Sequence, residues 1–285
     1  MIGITGATGT IGSELVDRLA DGAVQVRAYS RQPGRIEERE GVEPVRLDLA
    51  ESDAVEEAFR HVERLFLLTG NTADMVRLQK NAIRAAVRSD VDHVVKLSAL
   101  GATDHSLSVI GLWHYNVERE LRQSGLRWTI LRPHHFMQNL LAPTVFDREA
   151  GRVHSASGDG RIPFVDTRDI AASAYAVLTG DGHEGSTYAL TGPEAISYRE
   201  VTGILSDVLG RDLEYVPETE DEAWRRLREA GLPAWRVAAL LALASYQRAG
   251  GPTERTTGTV ERLTGRPATT FREFAEDHAS ELAAR

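Results

Sequence analysis

Cysteine is absent from this 285-residue chain. Its absence excludes disulfides, thiolate catalysis and cysteine metal sites, and makes the cytoplasm the expected location. Positive charge is also short. Lys and Arg total 33 against 42 Asp and Glu, a formal charge of −9. Bulk nucleic-acid binding needs a basic face, so no nucleic-acid partner is expected. No run approaches the roughly 18 consecutive apolar residues that cross a bilayer, and no membrane association is expected. The opening apolar run lacks a basic leader and is broken by glycines, unlike a signal peptide. The nine histidines include no HExxH pattern and no other spacing that commits to a metal, so none is expected. Internal repeats and low-complexity tracts are missing as well.

What is present is a regular alternation. With 42% hydrophobic residues, the chain is long enough for one sizeable α/β core and a smaller lobe. MIGIT, VQVRAYS, PVRLDL, RLFLLT, HVVKLSAL and WTILRP read as strands, several of them apolar on both faces. Between them, IGSELVDRLADG, DAVEEAFRHV, ADMVRLQKNAIRAAVRSD and LWHYNVERELRQSG read as helices, with Gly22 and Gly125 just past helix ends. The pattern predicts right-handed βαβ units and a Rossmann-type, doubly wound parallel sheet over residues 1–140. Beyond it the rhythm loosens. FVDTRDIAASAYAVLTG predicts a short strand and a helix from near Asp169, which is expected as a cap. STYALTG and LEYVP read as strands and SYREVTGILSDVLGR as a helix, and from about 219 to the end the chain reads as helical. Residues 141–285 are thus expected to form a smaller, mainly helical substrate lobe, with later segments able to rejoin the sheet. The cleft between the two is the expected site.

ITGATGTIG, residues 4–12, spaces three glycines evenly between a strand and a helix. That context separates a dinucleotide fingerprint from an ordinary turn. Gly6 permits the tight turn, Gly9 lets backbone approach a pyrophosphate, and Gly12 lets the helix pack close to the sheet. The helix N-terminus then offers N–H groups to phosphate. An NAD-type site usually places a carboxylate at the end of the second strand to read the ribose. This chain has Ser30 and Arg31 there, with Arg35 nearby. A guanidinium suits a 2′-phosphate, so NADP(H) is favoured over NAD(H). Asp48, after the third strand, is a candidate helix cap or adenine partner. Thr69 and Gly70 end the fourth strand, where they would lie along a ribose.

TGATGTIG, AYSRQP, VKLSALGA, HYNVERELRQSGLRWTILRPHHFMQN, RIPFVDTRDIA and VERLTGRPATTFREFAEDH together resemble the NmrA-like group. These are atypical short-chain dehydrogenase/reductases that include NAD(P)H:quinone oxidoreductase-like and triphenylmethane-reductase-like proteins. The resemblance runs the length of the chain. SGLRWTILRPHHFMQN and LTGRPATTFREF carry it more specifically than the glycines do. It implies that Gly6, Thr8, Gly9, Thr10, Ile11, Gly12 and Arg31 bind the cofactor, with Asp48 and Leu49 near the adenine. It also implies Thr69 and Gly70 along the ribose, and Ser98 with Ala99 beside the nicotinamide.

Short-chain dehydrogenases usually carry Tyr-x-x-x-Lys on the helix after the fifth strand. Tyr115 and Arg119 have that spacing, but Arg is a poor substitute for the lysine. With Glu118 aligned to the acidic residue usual on this helix, the lysine position falls on His114 and the tyrosine position on Ile110. His114 is then the candidate for proton chemistry, because an ordinary imidazole titrates near pH 6.5. Ser98 is a second catalytic candidate, able to reach a substrate oxygen. His134, His135, Phe136, Met137 and Asn139, after the sixth strand, are expected to border the cleft, with His134, Phe136, Met137 and Asn139 on the substrate side. The two adjacent histidines cannot both face one point and are not expected to form a metal pair. Trp224, Trp235 and Tyr246 fit a core more readily than a lid.

The leading expectation is an NADPH-dependent reductase that transfers hydride to a quinone, dye or related conjugated acceptor. The expected partner is a small aromatic or quinone-like molecule, and the chain is expected as a monomer or homodimer. Two alternatives stay open: a non-catalytic NADP(H)-sensing regulator, and a natural-product ketoreductase or epimerase.

Overall fold

The MIGIT run forms β1 (Ile2–Ile4), and the glycine turn leads from it into α1 (Thr10–Asp21). The computed structural model describes residues 1–89 and 91–283. β2 (Val26–Ser30), β3 (Val42–Arg46), α2 (Ser52–Ala58), β4 (Arg64–Leu67) and α3 (Met75–Arg88) follow. Then come β5 (His93–Leu97), α4 (Val109–Gln123), β6 (Arg127–Pro133), β7 (Phe146–Asp147), β8 (Arg152–Ser155) and α5 (Thr167–Thr179). The chain continues through β9 (Ser186–Leu190), α6 (Tyr198–Leu209), β10 (Glu214–Pro217), α7 (Glu220–Glu229) and α8 (Ala234–Ala249). It ends with α9 (Thr259–Thr264), α10 (Phe271–Asp277) and α11 (Ala279–Ala283). Asp90, Ala284 and Arg285, at the ends of two expected helical segments, lie outside the described residues.

Seven strands form one sheet in the order β3-β2-β1-β4-β5-β6-β9. Every pairing from β3 across to β6 is parallel. The strand order reverses about β1, with β2 on one side and β4 on the other. The carboxyl ends of the parallel strands therefore share one edge, where α/β sheets bind ligands. This is the Rossmann-type sheet that the strand–helix alternation predicts.

The chain divides into two compact units. The first takes residues 1–105, 110–133 and 167–189, and the second takes 106–109, 134–166 and 190–285. The sheet unit thus leaves off at Pro133 rather than at 140 and recovers residues 167–189 later in the chain.

In the first unit, helices cover both sheet faces, so the central strands are largely buried. All five residues of β5 are buried, His93 and Lys96 among them. Leu65, Leu67, Ile83, Val94, Val117 and Leu121 fill the core beneath α3 and α4. α1 buries Ile11, Leu15 and Leu19, a stripe at helical spacing. Each such side chain contributes about 1.5–3 kcal/mol when fully buried. α5 packs along α1 closely enough that a Cβ at Gly22 would meet the Tyr175 hydroxyl at 2.7 Å. Arg64 ties the end of α5 to the sheet. Its Nη1 donates to the Leu178 and Gly180 carbonyls at 2.8 and 2.6 Å, and its Nη2 pairs with Asp181 at 2.8 Å.

The second unit carries a small sheet in which β8 lies between β10, parallel, and β7, antiparallel. Its core gathers Met137, Phe164, Tyr198, Val201, Phe271 and Phe274. α6 starts at a reciprocal Ser197–Glu200 capping box and stops at left-handed Gly210, with φ +61°. No helix among the described residues is long and apolar enough to cross a membrane.

Three local expectations need correction. α5 begins at Thr167, so Asp169 sits inside its first turn, where the helix dipole favours a carboxylate, rather than capping it. Asp48 does not cap α2, because Glu51 holds that position; Asp48 Oδ1 instead accepts from the Ala50 N–H at 2.9 Å. Trp224 is not core: it is 38% exposed on the outer side of α7, and Trp235 and Tyr246 are half-buried.

Candidate active site

The glycine turn is built around two close approaches. Gly6 has φ +67°, a region strained for any residue with a Cβ. A Cβ at Gly12 would lie 2.1 Å from the Gly6 carbonyl oxygen, so α1 can begin this close to β1 only with glycine there. Gly9 differs. A Cβ there would meet nothing nearer than the Gly6 oxygen at 3.4 Å, and both Gly9 and Thr10 are exposed. No side chain caps α1, so its first-turn N–H groups and positive end are offered to an anion. Ile11 is buried beneath the turn, and Thr8 Oγ1 lies 3.3 Å from Ser30 Oγ, tying the loop to the end of β2. This cradle fits the pyrophosphate of a dinucleotide.

The flanking candidates reach the same sheet edge. Arg31 follows β2, is exposed, and forms no ion pair among the described residues. Its field reaches Asp74, whose carboxyl is held below its ordinary value by the Thr72 hydroxyl first and by Arg77 and Arg31 in addition. Asp48 and Leu49 are half-buried beyond β3, and the Leu49 carbonyl accepts from Asn81 Nδ2 at 3.1 Å. Beyond β4, Thr69 Oγ1 accepts from Gln79 Nε2 at 2.7 Å, and nothing lies within 4 Å of a Cβ built on Gly70. Ser98 and half-buried Ala99 extend β5.

Behind that edge, the inward face of α4 meets β5 and β6 in a buried polar cluster. His114 and Glu118, one helical turn apart, both point inward. The Ser98 hydroxyl donates to Glu118 Oε1 at 2.5 Å. Arg132 grips the same carboxylate with Nε at 2.9 Å and Nη2 at 2.5 Å, and Arg122 adds a contact at 3.1 Å. Beside them, Lys96 Nζ donates to the Leu97 carbonyl at 2.8 Å and lies 3.0 Å from His114 Nδ1. Burial pushes Lys96 down to about 7, with Glu118 opposing the shift and Arg132 adding to it. Burial likewise holds His114 well below its ordinary value, assisted by Lys96 and Arg132. His114 is therefore a neutral imidazole at physiological pH, unlike the freely titrating group the sequence suggests. Tyr115 is half-buried and makes no hydrogen bond among the described residues, and Arg119 is exposed. The two do not form a Tyr–Arg pair.

Residues 134–139 belong to the second unit. The His135 N–H donates to His134 Nδ1 at 2.7 Å, and burial lowers His134 to about 4. His135 packs edge-on against Phe164, with ring centroids 5.5 Å apart, and burial lowers it to about 3. Phe136 is half-buried and Asn139 exposed. Met137, expected as a substrate wall, is 1% exposed inside the Phe164 core, so its side chain packs the lobe instead. Among the described residues, no group of three His, Asp or Glu side chains is arranged to hold a metal.

Sequence reasoning missed Lys96, Arg132 and Gln79. A signal existed for two of them. HVVKL and TILRP each place one cation inside a mostly apolar strand, and a buried parallel strand has no solvated face to take it.

Residues 6–180 match the family described as NAD(P)H-binding. The chain belongs to that family. An NAD(P)H azoreductase of Xenophilus azovorans is 36% identical over 289 residues, covering 100% of both chains. A (4-alkanoyl-5-oxo-2,5-dihydrofuran-3-yl)methyl phosphate reductase of Streptomyces griseus is 40% identical over 285 residues, 99% of each. Among solved structures, an NADPH-dependent quinone oxidoreductase from Escherichia coli complexed with NADPH superposes with a TM-score of 0.89 at 29% identity. The match covers 98% of this chain and 100% of that one. The match begins at Gly6, so the NAD(P)H-binding family accounts for the glycine cradle.

Proposed function

We propose that this protein is an NADPH-dependent reductase of electron-poor, conjugated small molecules such as quinones, azo dyes and doubly activated alkenes. The observation that carries the reading is the inward face of α4, which presents neutral His114 where a conventional dehydrogenase presents a tyrosine–lysine relay. Acceptors that stabilise the charge left by hydride addition place the least demand on a proton donor. The quinone acceptor named for one relative has that character, as does a ring alkene flanked by two carbonyls, whereas an azo acceptor leaves a more basic nitrogen anion and asks more of the donor.

Bound at the glycine turn, NADPH would supply the hydride. The protein's part is binding and orientation. The uncapped start of α1 takes the pyrophosphate, with Thr8 and Thr10 beside it. Arg31, without a protein partner among the described residues, reads the 2′-phosphate and sets the preference for NADPH over NADH. Asp48 and Leu49 border the adenine, Thr69 and Gly70 the ribose, and Ser98 and Ala99 the nicotinamide. The Ser98 hydroxyl proton is committed to Glu118, so Ser98 orients this edge rather than donating to substrate. His114 is the hydrogen-bond donor.

The test is oxidation of NADPH and NADH, followed separately against quinones, azo dyes, activated alkenes and simple ketones. Turnover with the conjugated acceptors and little with simple ketones is the expected result. Tight NADPH binding with no turnover on any acceptor would instead make the protein a cofactor sensor.

A further inference from the structure

Lys96 is an ammonium-bearing residue inside a strand with no exposed face, and among the described residues it has no carboxylate within hydrogen-bonding distance. Glu118, the nearest candidate, is fully engaged by Ser98, Arg132 and Arg122. Lys96 is left with two neutral partners, the Leu97 carbonyl at 2.8 Å and His114 Nδ1 at 3.0 Å. An ammonium has donors and no lone pair, so Nδ1 must accept from it. The single proton of the neutral imidazole is then on Nε2. That atom has no protein partner among the described residues, yet it is not one of the fully buried unpartnered atoms. It therefore keeps a small solvent-accessible surface although the residue as a whole is buried.

We propose that Lys96 and His114 form a proton relay, in which His114 Nε2–H protonates the reduced acceptor while Lys96 resupplies Nδ1. The proposal rests on the reductase reading and adds the source of the proton. Hydride adds to the acceptor and leaves an anion. That anion takes the proton from His114 Nε2, and the imidazole regains one at Nδ1 from the Lys96 ammonium, which becomes a neutral amine. The product leaves as the doubly reduced, neutral species. To reset, a water-borne proton enters at Nε2 and the Nδ1 proton returns to Lys96.

The surroundings suit this division of labour. Burial brings Lys96 to about 7, so its proton leaves readily at neutral pH. Glu118 and Arg132 are the charged groups that act on Lys96, with opposite signs, and Lys96 and Arg132 are those that act on His114. Both cations oppose an imidazolium, so His114 passes the proton on and does not store it. Lys96 touches neither substrate nor cofactor; it acts through His114.

Two readouts test this. The first needs no turnover: ¹⁵N shifts of the His114 ring at pH 6, assigned with His114→Gln. The expected wild-type pattern is a protonated Nε2 and an accepting Nδ1, with the preference lost in Lys96→Met. The second is single-turnover reduction of an azo dye, whose nitrogen anion is strongly basic, beside a quinone. Lys96→Met should lower the azo rate by about 10²-fold, with KM little changed, and the quinone rate by less. It should also remove the fall in azo rate as pH rises through about 7. Lys96→Arg separates the roles, because Arg can hold the tautomer but cannot release a proton. It should retain the ¹⁵N pattern and still lose the azo rate. A wild-type Nδ1–H tautomer overturns the relay whatever the enzyme reduces, as does an azo rate in Lys96→Met that keeps its pH dependence. An Nε2–H ring in a protein that reduces no acceptor overturns the reductase reading, and the relay falls with it.

Discussion

Ser98 and Glu118 meet across 20 residues of sequence, with hydroxyl and carboxylate oxygens 2.5 Å apart. The carboxylate they share with Arg132 is completely buried. Glu118→Gln removes its charge and leaves the Arg132 guanidinium without a counter-charge. Breaking one side of a buried ion pair costs about 3–5 kcal/mol. Urea unfolding should show a loss of that order. A loss below about 1 kcal/mol would mean that solvent already screens the pair.

Gly9 and Gly12 should fail in different ways. Gly12→Ala places a Cβ 2.1 Å from the Gly6 oxygen, so it should destabilise the protein itself. Gly9→Val meets no such obstacle and should fold, but its side chain fills the space of the pyrophosphate. NADPH should therefore raise the melting temperature of the wild type and leave that of Gly9→Val unchanged. Equal stabilisation of both would place the phosphates elsewhere.

Arg31→Ala should erase most of the preference for NADPH. A charge-assisted contact to the 2′-phosphate is worth about 1.5–3 kcal/mol, so NADPH should bind at least tenfold more weakly. NADH affinity should hardly move. Calorimetric titration of both cofactors decides this, and a wild type that binds the two equally ends the assignment.

Tyr115→Phe should retain a substantial fraction of quinone reductase activity, because the phenol has no partner in the α4 cluster. A tyrosine acting as general acid contributes about 10²–10⁴-fold, so its loss could not pass unnoticed. Abolished turnover at unchanged NADPH affinity would restore the conventional relay.

Lys96 also predicts a pH dependence of stability. Its folded value, about 7, lies below that of an unfolded lysine, about 10.4. Between those limits the unfolded state binds more protons, so stability rises with pH. The cost of the buried ammonium is full below pH 7 and is relieved as pH climbs toward 10. Lys96→Met should lack that rise, and chemical unfolding at pH 6, 8 and 9.5 should show the two proteins converging. Parallel curves would mean that Lys96 titrates normally.

The parallel sheet was legible because strand and helix periodicities alternate so regularly, and the glycine turn because its flanks define it. Helix starts were less so. Asp48 and Asp169 look like caps, yet Glu51 and the earlier start at Thr167 displaced them, since several polar residues compete within one turn. Met137 read as a wall and proved to be core, because an apolar residue after a strand carries no mark of which way it faces. The cluster on α4 was half visible. His114 and Glu118 share a helical face by spacing alone, but Lys96 and Arg132 reach them from neighbouring strands, and pairing across a sheet is not written in local sequence.

Arg64 holds the carbonyls of Leu178 and Gly180 and the carboxylate of Asp181, the last 117 positions away. During synthesis, then, β4 emerges from the ribosome long before the segment that satisfies its guanidinium. The first unit stays open while the whole of 134–166 is made, and only when 167–189 has been released can α5 settle against α1. A nascent chain stopped anywhere before that point lacks the α5 side of α1, where Tyr175 approaches Gly22. The order of translation thus leaves the first unit to be completed by a segment made after the second has begun.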